Sequence, residues 1–313
     1  MTAAPRGRGW GVVAALALAT LFLSVVQPAL LMFVPLALLF IALPPRRPLL
    51  LAFGAFICWL AFSGRPETTA LWYFERGWVL VLGAWFVGMV VLLPRWTFLP
   101  RALMTVAATA ATVAIFLIAH RGGFAMLDGA VDAHLRSKAA MVLAVWQNAD
   151  ASRSMGGVDM GRRLFQVAEL QGRLFPALLA LASLAGLGVA WWAFGRLAQG
   201  VAHPLSRWRE FRFRDELVWL LIAGLALLLL PLDQLATRAG ENLLLFMAVL
   251  YALRGAAVLL VIGGASGPVG MVIGVLLVLF LTPFVMATTF LVGLSDTWLD
   301  IRARRQASST PGS

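Results

Sequence analysis

Long apolar runs separated by short charged connectors constrain this chain more than any other feature. They cover roughly 10–43, 48–63, 77–93, 102–119, 174–195, 217–232, 242–262 and 268–294. A bilayer hydrocarbon core of about 30 Å takes about 20 residues of helix, and inside it every backbone N–H and C=O must be satisfied within the chain. The first run, Trp10 to Leu43, is too long for one crossing and is broken at Gln27-Pro28, so it reads as two short helices, 10–26 and 29–43. Hydrophobic residues make up 61% of the chain and charged ones 12%, against about 45–50% and about 25% in soluble domains. The expectation is an all-α polytopic transmembrane helical bundle of about eight or nine spans. Arg6 and Arg8 ahead of the first run resemble the start of a signal peptide. Polarity does not then break into a cleavage site and mature region, so the segment is read as retained.

One polar stretch interrupts the pattern, and it divides the chain. Residues 1–119 carry five candidate spans, 120–173 form an extramembrane segment, 174–304 carry four more candidate spans, and 305–313 read as a disordered tail. Within 120–173, Leu127, Val131, Leu135, Val142 and Val145 recur near helical spacing. Asp159 can cap a second helix that continues through Leu164, Val167 and Leu174 into the next span. Amphipathic helices at the membrane interface are expected there. The net charge is +11, yet the basic residues, all Arg except Lys138, flank apolar runs instead of lining one soluble face. That placement excludes a nucleic-acid reading and fits the retention of Arg and Lys in cytoplasmic loops. A cytoplasmic N-terminus puts Arg6, Arg8, Arg46, Arg47, Arg95, Arg101, Arg196, Arg207, Arg209, Arg212 and Arg214 inside, while Arg302, Arg304 and Arg305 fall outside. Trp residues near run ends suit the headgroup region.

Ionisable residues within a span cost about 2.5–3.5 kcal/mol at a helix centre, so each needs a reason. Arg254 lies eight residues from Ile262, about 12 Å from the nearer helix end, and should face a partner or a wet cavity. Glu241, Asp233 and Asp296 are candidate partners; Tyr251 lies one turn earlier, and Gly255, Ala256 and Ala257 permit close helix approach. Either a structural salt bridge or a ligand contact accounts for such an arginine. Asn242, Tyr251 and Arg254 are the candidate ligand-binding residues. Asp296 and Asp300 share a helix face, a spacing that can hold magnesium for phosphate chemistry, but no second acidic cluster accompanies them. With Arg304 four residues beyond Asp300 and Glu241 nearby in type, a helix-end charge network is the expectation, with no metal and no cofactor. Gly264-Ala-Ser266-Gly267 and Ala119-His120-Arg121-Gly122-Gly123 match rhomboid-protease motif forms, in reversed order and at span ends, so no catalytic residue is assigned and no enzyme is expected. Cys58, alone, lies in an apolar run and reads as a packing residue.

The C-terminal third carries a resemblance. Phe211-Arg-Phe-Arg214 before Val218-Trp219, Gly240-Glu-Asn242-Leu-Leu, Leu250-Tyr251 leading to Arg254-Gly255, and Gly293-Leu-Ser-Asp296-Thr-Trp-Leu-Asp300-Ile-Arg302 resemble the YybS-like bacterial membrane family, a domain of unknown function. The N-terminal hairpin ending in prolines and arginine is similar as well. Arg254 stands where that family tends toward an uncharged polar residue. The family is distantly similar to substrate-binding subunits of energy-coupling-factor transporters and to the cell-shape protein MreD. The resemblance implies a multi-pass protein of the bacterial cytoplasmic membrane, transport-related or holding a small-molecule ligand between helices. A non-enzymatic envelope scaffold in the manner of MreD is the alternative, and a lipid or isoprenoid-phosphate enzyme the third reading. Membrane lipid is the surrounding partner, and membrane-protein partners would be met through 196–214 or 120–173.

Overall fold

A computed structural model describes residues 10–43, 45, 47–63, 70–149, 157–201, 205, 211, 213–231, 233–262 and 287–297. Among these residues the ordered structure is helical, with no strand. The chain divides into two compact units, Met1–Leu205 and Ser206–Ser313.

In the first unit the helices are α1 (Trp10–Leu23), α2 (Pro28–Ala42), α3 (Pro48–Phe62), α4 (Ala70–Leu92), α5 (Phe98–Ala119), α6 (Gly123–Ala149), α7 (Gly157–Arg173) and α8 (Phe175–Phe194), the last prolonged by a π turn, Gly195–Gln199. Proline opens α2, α3 and α8, where its missing N–H has no intrahelical partner to lose. The break at Gln27-Pro28 is therefore where the sequence places it. α4 begins seven residues ahead of the apolar run that announces it and takes in Glu75 and Arg76.

The core of this unit forms where α2, α4 and α8 meet. Leu31, Val34, Leu39, Phe40, Val79, Leu82, Phe86, Ala182, Leu187 and Ala190 are buried there. Gly186 brings the α8 backbone onto α2, since a Cβ at this position would lie 2.8 Å from the Leu31 carbonyl oxygen. Pairings along the helices fix their directions. Leu31 meets Gly186 and Phe40 meets Phe194, so α2 runs parallel to α8. Trp78 donates its indole N–H to Ser183 Oγ at 3.0 Å and Phe86 meets Trp191, so α4 does too. Leu16 meets Gly188 and Trp10 meets Trp192, so α1 runs the opposite way.

These pairings also set depth. The α1–α2 turn lies level with about Leu181 to Ser183 of α8, which puts it about 9–12 Å inside the α8 N-terminus at 1.5 Å per residue. Helices of 14 and 15 residues are only about 21–22 Å long, short of the hydrocarbon thickness. Arg76 sits at the same level in α4, where its guanidinium lies 3.7 Å from the Trp72 ring centroid and Nε donates to the Ala61 carbonyl at 3.0 Å. It thereby satisfies one of the open carbonyls at the C-terminus of α3.

The two ends of the unit differ in charge. At the C-terminal end of α8, the described residues of the connectors between α2 and α3, between α4 and α5 with the first turn of α5, and after α8 include Arg47, Arg95, Arg101 and Arg196 and no acidic residue. Arg101 donates to the carbonyls of Leu93 and Pro94, at 3.0 and 2.7 Å, and so closes the α4–α5 turn. At the other end stands the α6–α7 hairpin, antiparallel because Leu143 meets Gly161 and Leu135 meets Gly172. Val131, Leu135 and Ala139 of α6 and Ala168 of α7 are buried. Acidic and basic groups mix on its surface, as in the exposed Arg136–Asp132 pair at 3.0 Å. Only Leu174 separates α7 from α8, and helical hydrogen bonds run through it from Leu178 to Leu170.

The second unit contains a short 3-10 turn (Asp215–Leu217), α9 (Val218–Leu229), α10 (Gln234–Ile262) and a helix over 287–297, here α11. The sequence expects a full span at 217–232, but α9 has 12 residues, about 18 Å. α9 and α10 cross at Gly224 and Gly240. α10 and α11 cross at Gly255 and Gly293, where a Cβ on Gly255 would collide with the Thr289 carbonyl and one on Gly293 with that of Tyr251. Lipid supplies no hydrophobic drive between helices, so such close backbone approach is a main source of cohesion. The expected span 268–294 lies mostly outside the described residues, as do 305–313.

Replacing Gly186 or Gly255 with Ala should force helices apart at a cost of about 1–3 kcal/mol each. Denaturant midpoints in detergent should fall for both variants while Gly88→Ala, which meets open space, should leave the midpoint unchanged.

Candidate functional site

The second unit gathers its polar groups around one arginine. Arg254 is fully buried on α10, where a guanidinium requires acceptors. Its Nε donates to Asp296 Oδ2 at 3.1 Å and its Nη2 to the Asp296 main-chain oxygen at 3.2 Å. Both bonds cross to α11, at a level one turn beyond the Gly255–Gly293 contact, so the close backbone approach positions the pair. The third arm, Nη1, donates to Asp215 Oδ1 at 2.7 Å. Asp215 belongs to the 3-10 turn that leads into α9, and its side chain is 42% exposed while Arg254 and Asp296 are both at 0%. Its neighbour Glu216 points elsewhere, pairing with Arg214 at 3.3 Å. The Glu216 carboxyl is held below its ordinary range by its own backbone N–H and by the Arg214 side chain.

Aromatic rings wall the cluster. Phe213, itself buried, lies with its ring centroid 5.3 Å from the Arg254 guanidinium and edge-on to Tyr251 at 5.1 Å. Phe290 of α11 packs edge-on to Tyr251 at 6.1 Å. Tyr251 is fully buried. Its hydroxyl neighbours that of Thr297, yet among the described residues neither oxygen completes a well-formed hydrogen bond. A poorly paired buried hydroxyl is costly, about 1–3 kcal/mol, and these two stand beside a buried ion pair.

Of the residues singled out from the sequence, Tyr251, Arg254 and Asp296 come together. Asn242 does not join them. It lies twelve residues before Arg254 on the same helix, about 18 Å away, and donates to the Arg238 carbonyl at 2.8 Å. Glu241, its neighbour, is equally distant. Asp233 caps α10 by accepting from the Ala236 N–H at 2.9 Å. Asp300, Arg304 and the Gly264–Gly267 motif lie outside the described residues, and His120 contacts the Phe116 carbonyl of its own helix. Asp215 is the member sequence reading missed. Standing three residues before an apolar run, it looks like an ordinary span-flanking acid. No group of three or more His, Cys, Asp or Glu suited to a metal occurs among the described residues.

Among the described residues four helices, Ala70–Leu92, Phe98–Ala119, Phe175–Gln199 and Gln234–Leu259, are long and apolar enough to cross a membrane. Fold and site together define an all-helical protein of membrane type with a buried arginine–dicarboxylate cluster. No family model matches the chain, and neither a curated protein nor a solved structure matches it.

Breaking one side of a buried ion pair costs about 3–5 kcal/mol, whereas replacing both sides with apolar residues is often neutral. Arg254→Met should therefore destabilise the protein strongly in sodium dodecyl sulfate titrations of mixed micelles. The double variant Arg254→Met/Asp296→Leu should recover most of the loss. Equal loss in the single and double variants would show that the pairing is not what the arginine contributes.

Proposed function

We propose that this chain is a multi-pass protein of the bacterial cytoplasmic membrane, related to the YybS-like family, that binds or helps transport a small molecule at Arg254. The carrying observation is the cluster itself. A fully buried guanidinium keeps one arm on a half-exposed carboxylate, with aromatic rings and two hydroxyls that make no well-formed hydrogen bond among the described residues alongside. Intramembrane ionisable residues mark ligand and ion pathways, and ligand sites are mostly apolar concavities with a few convergent polar groups. Tyr251 and Arg254 fit this role, while Asn242 is too distant to share it.

A second reading, the envelope scaffold, draws on a different surface. The α6–α7 hairpin exposes Met141, Val145, Val167 and Leu170, and Arg136, Arg162, Gln166 and Glu169 line a cleft on it. Such a mixed apolar and charged face suits a protein partner. The lipid-phosphate enzyme reading needs Asp296 as a metal ligand, and Asp296 is already engaged by Arg254.

The span arrangement belongs to the same proposal. In the first unit α4, α5 and α8 cross, α3 leads from the arginine-rich end toward the start of α4, and α1–α2 enters from the arginine-rich end and turns back within the membrane at Gln27-Pro28. A re-entrant turn of this kind is tolerated where protein covers its backbone, and Val25 and Val26 are buried. The N-terminus and the arginine connectors then share the cytoplasmic side, and the α6–α7 hairpin lies opposite.

Two measurements test this. In a Cys58→Ala background, an impermeant maleimide should label Ser137→Cys on intact cells and Thr97→Cys only after permeabilisation; the reverse pattern would overturn the orientation. Purified protein in nanodiscs, screened against a metabolite library by thermal shift, should yield a ligand whose effect Arg254→Leu abolishes. A ligand unaffected by that change, or a stoichiometric protein partner recovered by cross-linking at α6–α7, would favour the scaffold.

A further inference from the structure

The environment of Arg254 specifies the charge of its ligand. We propose that the site takes a singly charged oxyanion with an apolar body, and that Asp215 is an intramolecular stand-in that vacates Arg254 Nη1 when the ligand arrives. This inference rests on the binding-protein reading and assigns its substrate class. Asp296 holds two arms of Arg254 from a fully buried position on α11. Asp215 holds only one, from a 3-10 turn, with its own side chain 42% exposed. Of the two carboxylates, Asp215 is the more exposed and stands on a turn instead of inside a helix.

Replacing Asp215 by a bound monoanion conserves the charge around Arg254. A dianion would add negative charge in a low-dielectric interior, and a neutral molecule would leave Nη1 without its charged acceptor. The neighbouring groups are donors suited to the same chemistry. Among the described residues Tyr251 Oη and Thr297 Oγ1, which neighbour each other, make no well-formed hydrogen bond, and a carboxylate offers about four lone-pair sites to share among them and Nη1. Phe213 and Phe290, packed edge-on against Tyr251, are apolar surfaces beside the cluster. A soluble carboxylate and the phosphodiester of an anionic lipid headgroup share this chemistry, and experiment can separate them.

Benzoate is the probe for the first source. Full-length protein in phosphatidylcholine nanodiscs is titrated with sodium benzoate while its melting is followed by tryptophan fluorescence. Asp215→Asn removes the internal competitor, so the half-saturating benzoate concentration should fall by about tenfold or more relative to wild type. Adding Tyr251→Phe should reverse part of the gain, and benzamide, the neutral counterpart, should produce none. Should Asp215→Asn prove unstable, carbon–nitrogen dipolar recoupling between carboxyl-labelled benzoate and guanidino-labelled arginine in the wild-type protein reads the same contact. Stabilisation of Asp215→Asn over wild type by phosphatidylglycerol nanodiscs alone, without benzoate, would support the site and assign it to lipid. Absence of any gain with either anion, or an equal gain with benzamide, overturns the proposal. The binding-protein reading survives that result if a neutral metabolite still stabilises wild type and not Arg254→Leu.

Discussion

A hydrocarbon surrounding offers no water to hydrogen-bond with, and this constraint organises what the chain does with its polar groups. Helices satisfy the backbone. The arginines that penetrate furthest are each given oxygen acceptors from the protein itself. Arg76 caps the end of α3 through the Ala61 carbonyl, and Arg101 closes the α4–α5 turn through Leu93 and Pro94. Both use neutral main-chain oxygens at helix ends. Arg254 lies deeper in its helix and takes two carboxylates. The increasing charge of the acceptors follows the increasing cost of burying the cation.

Cohesion between helices in such a medium rests on contact and not on expulsion of water. Glycines appear where two backbones touch, at Gly186 against Leu31 and at the Gly255–Gly293 crossing. The second of these also sets the distance at which Arg254 meets Asp296. Large apolar side chains such as Phe22, Leu49 and Ile118 are left 72–80% exposed on the outside, an arrangement that would drive aggregation in water and is ordinary against acyl chains.

Much of this was legible in the sequence because the bilayer imposes a length and a polarity that composition reveals directly. The turn at Gln27-Pro28, the polar hairpin continuing into α8, and Asp296 as one of three candidate partners of Arg254 all follow from run length, proline position and the need of a mid-helix charge for a counter-charge. What escaped has a physical reason too. Glu75 and Arg76 look like a connector, but an arginine can snorkel and cap, so α4 starts before its apolar run. The lengths of α1 and α2 do not reveal that their turn stops short of the far end, because that depth is fixed by pairing with α8. Asp215 is distant in sequence from Arg254, and three-dimensional proximity of a flanking acid leaves no periodic trace. Asn242 has the right character but the wrong height on α10.

The outward apolar faces are expected to meet lipid. Nitroxides placed at Leu60, Ile115 and Leu225, all exposed or on exposed helix faces, report this directly in reconstituted bilayers. Collisions with dissolved oxygen should exceed those with a water-soluble nickel chelate at all three positions. A reversal, with the chelate winning at these sites, would mean that the helices stand in water and the account is wrong.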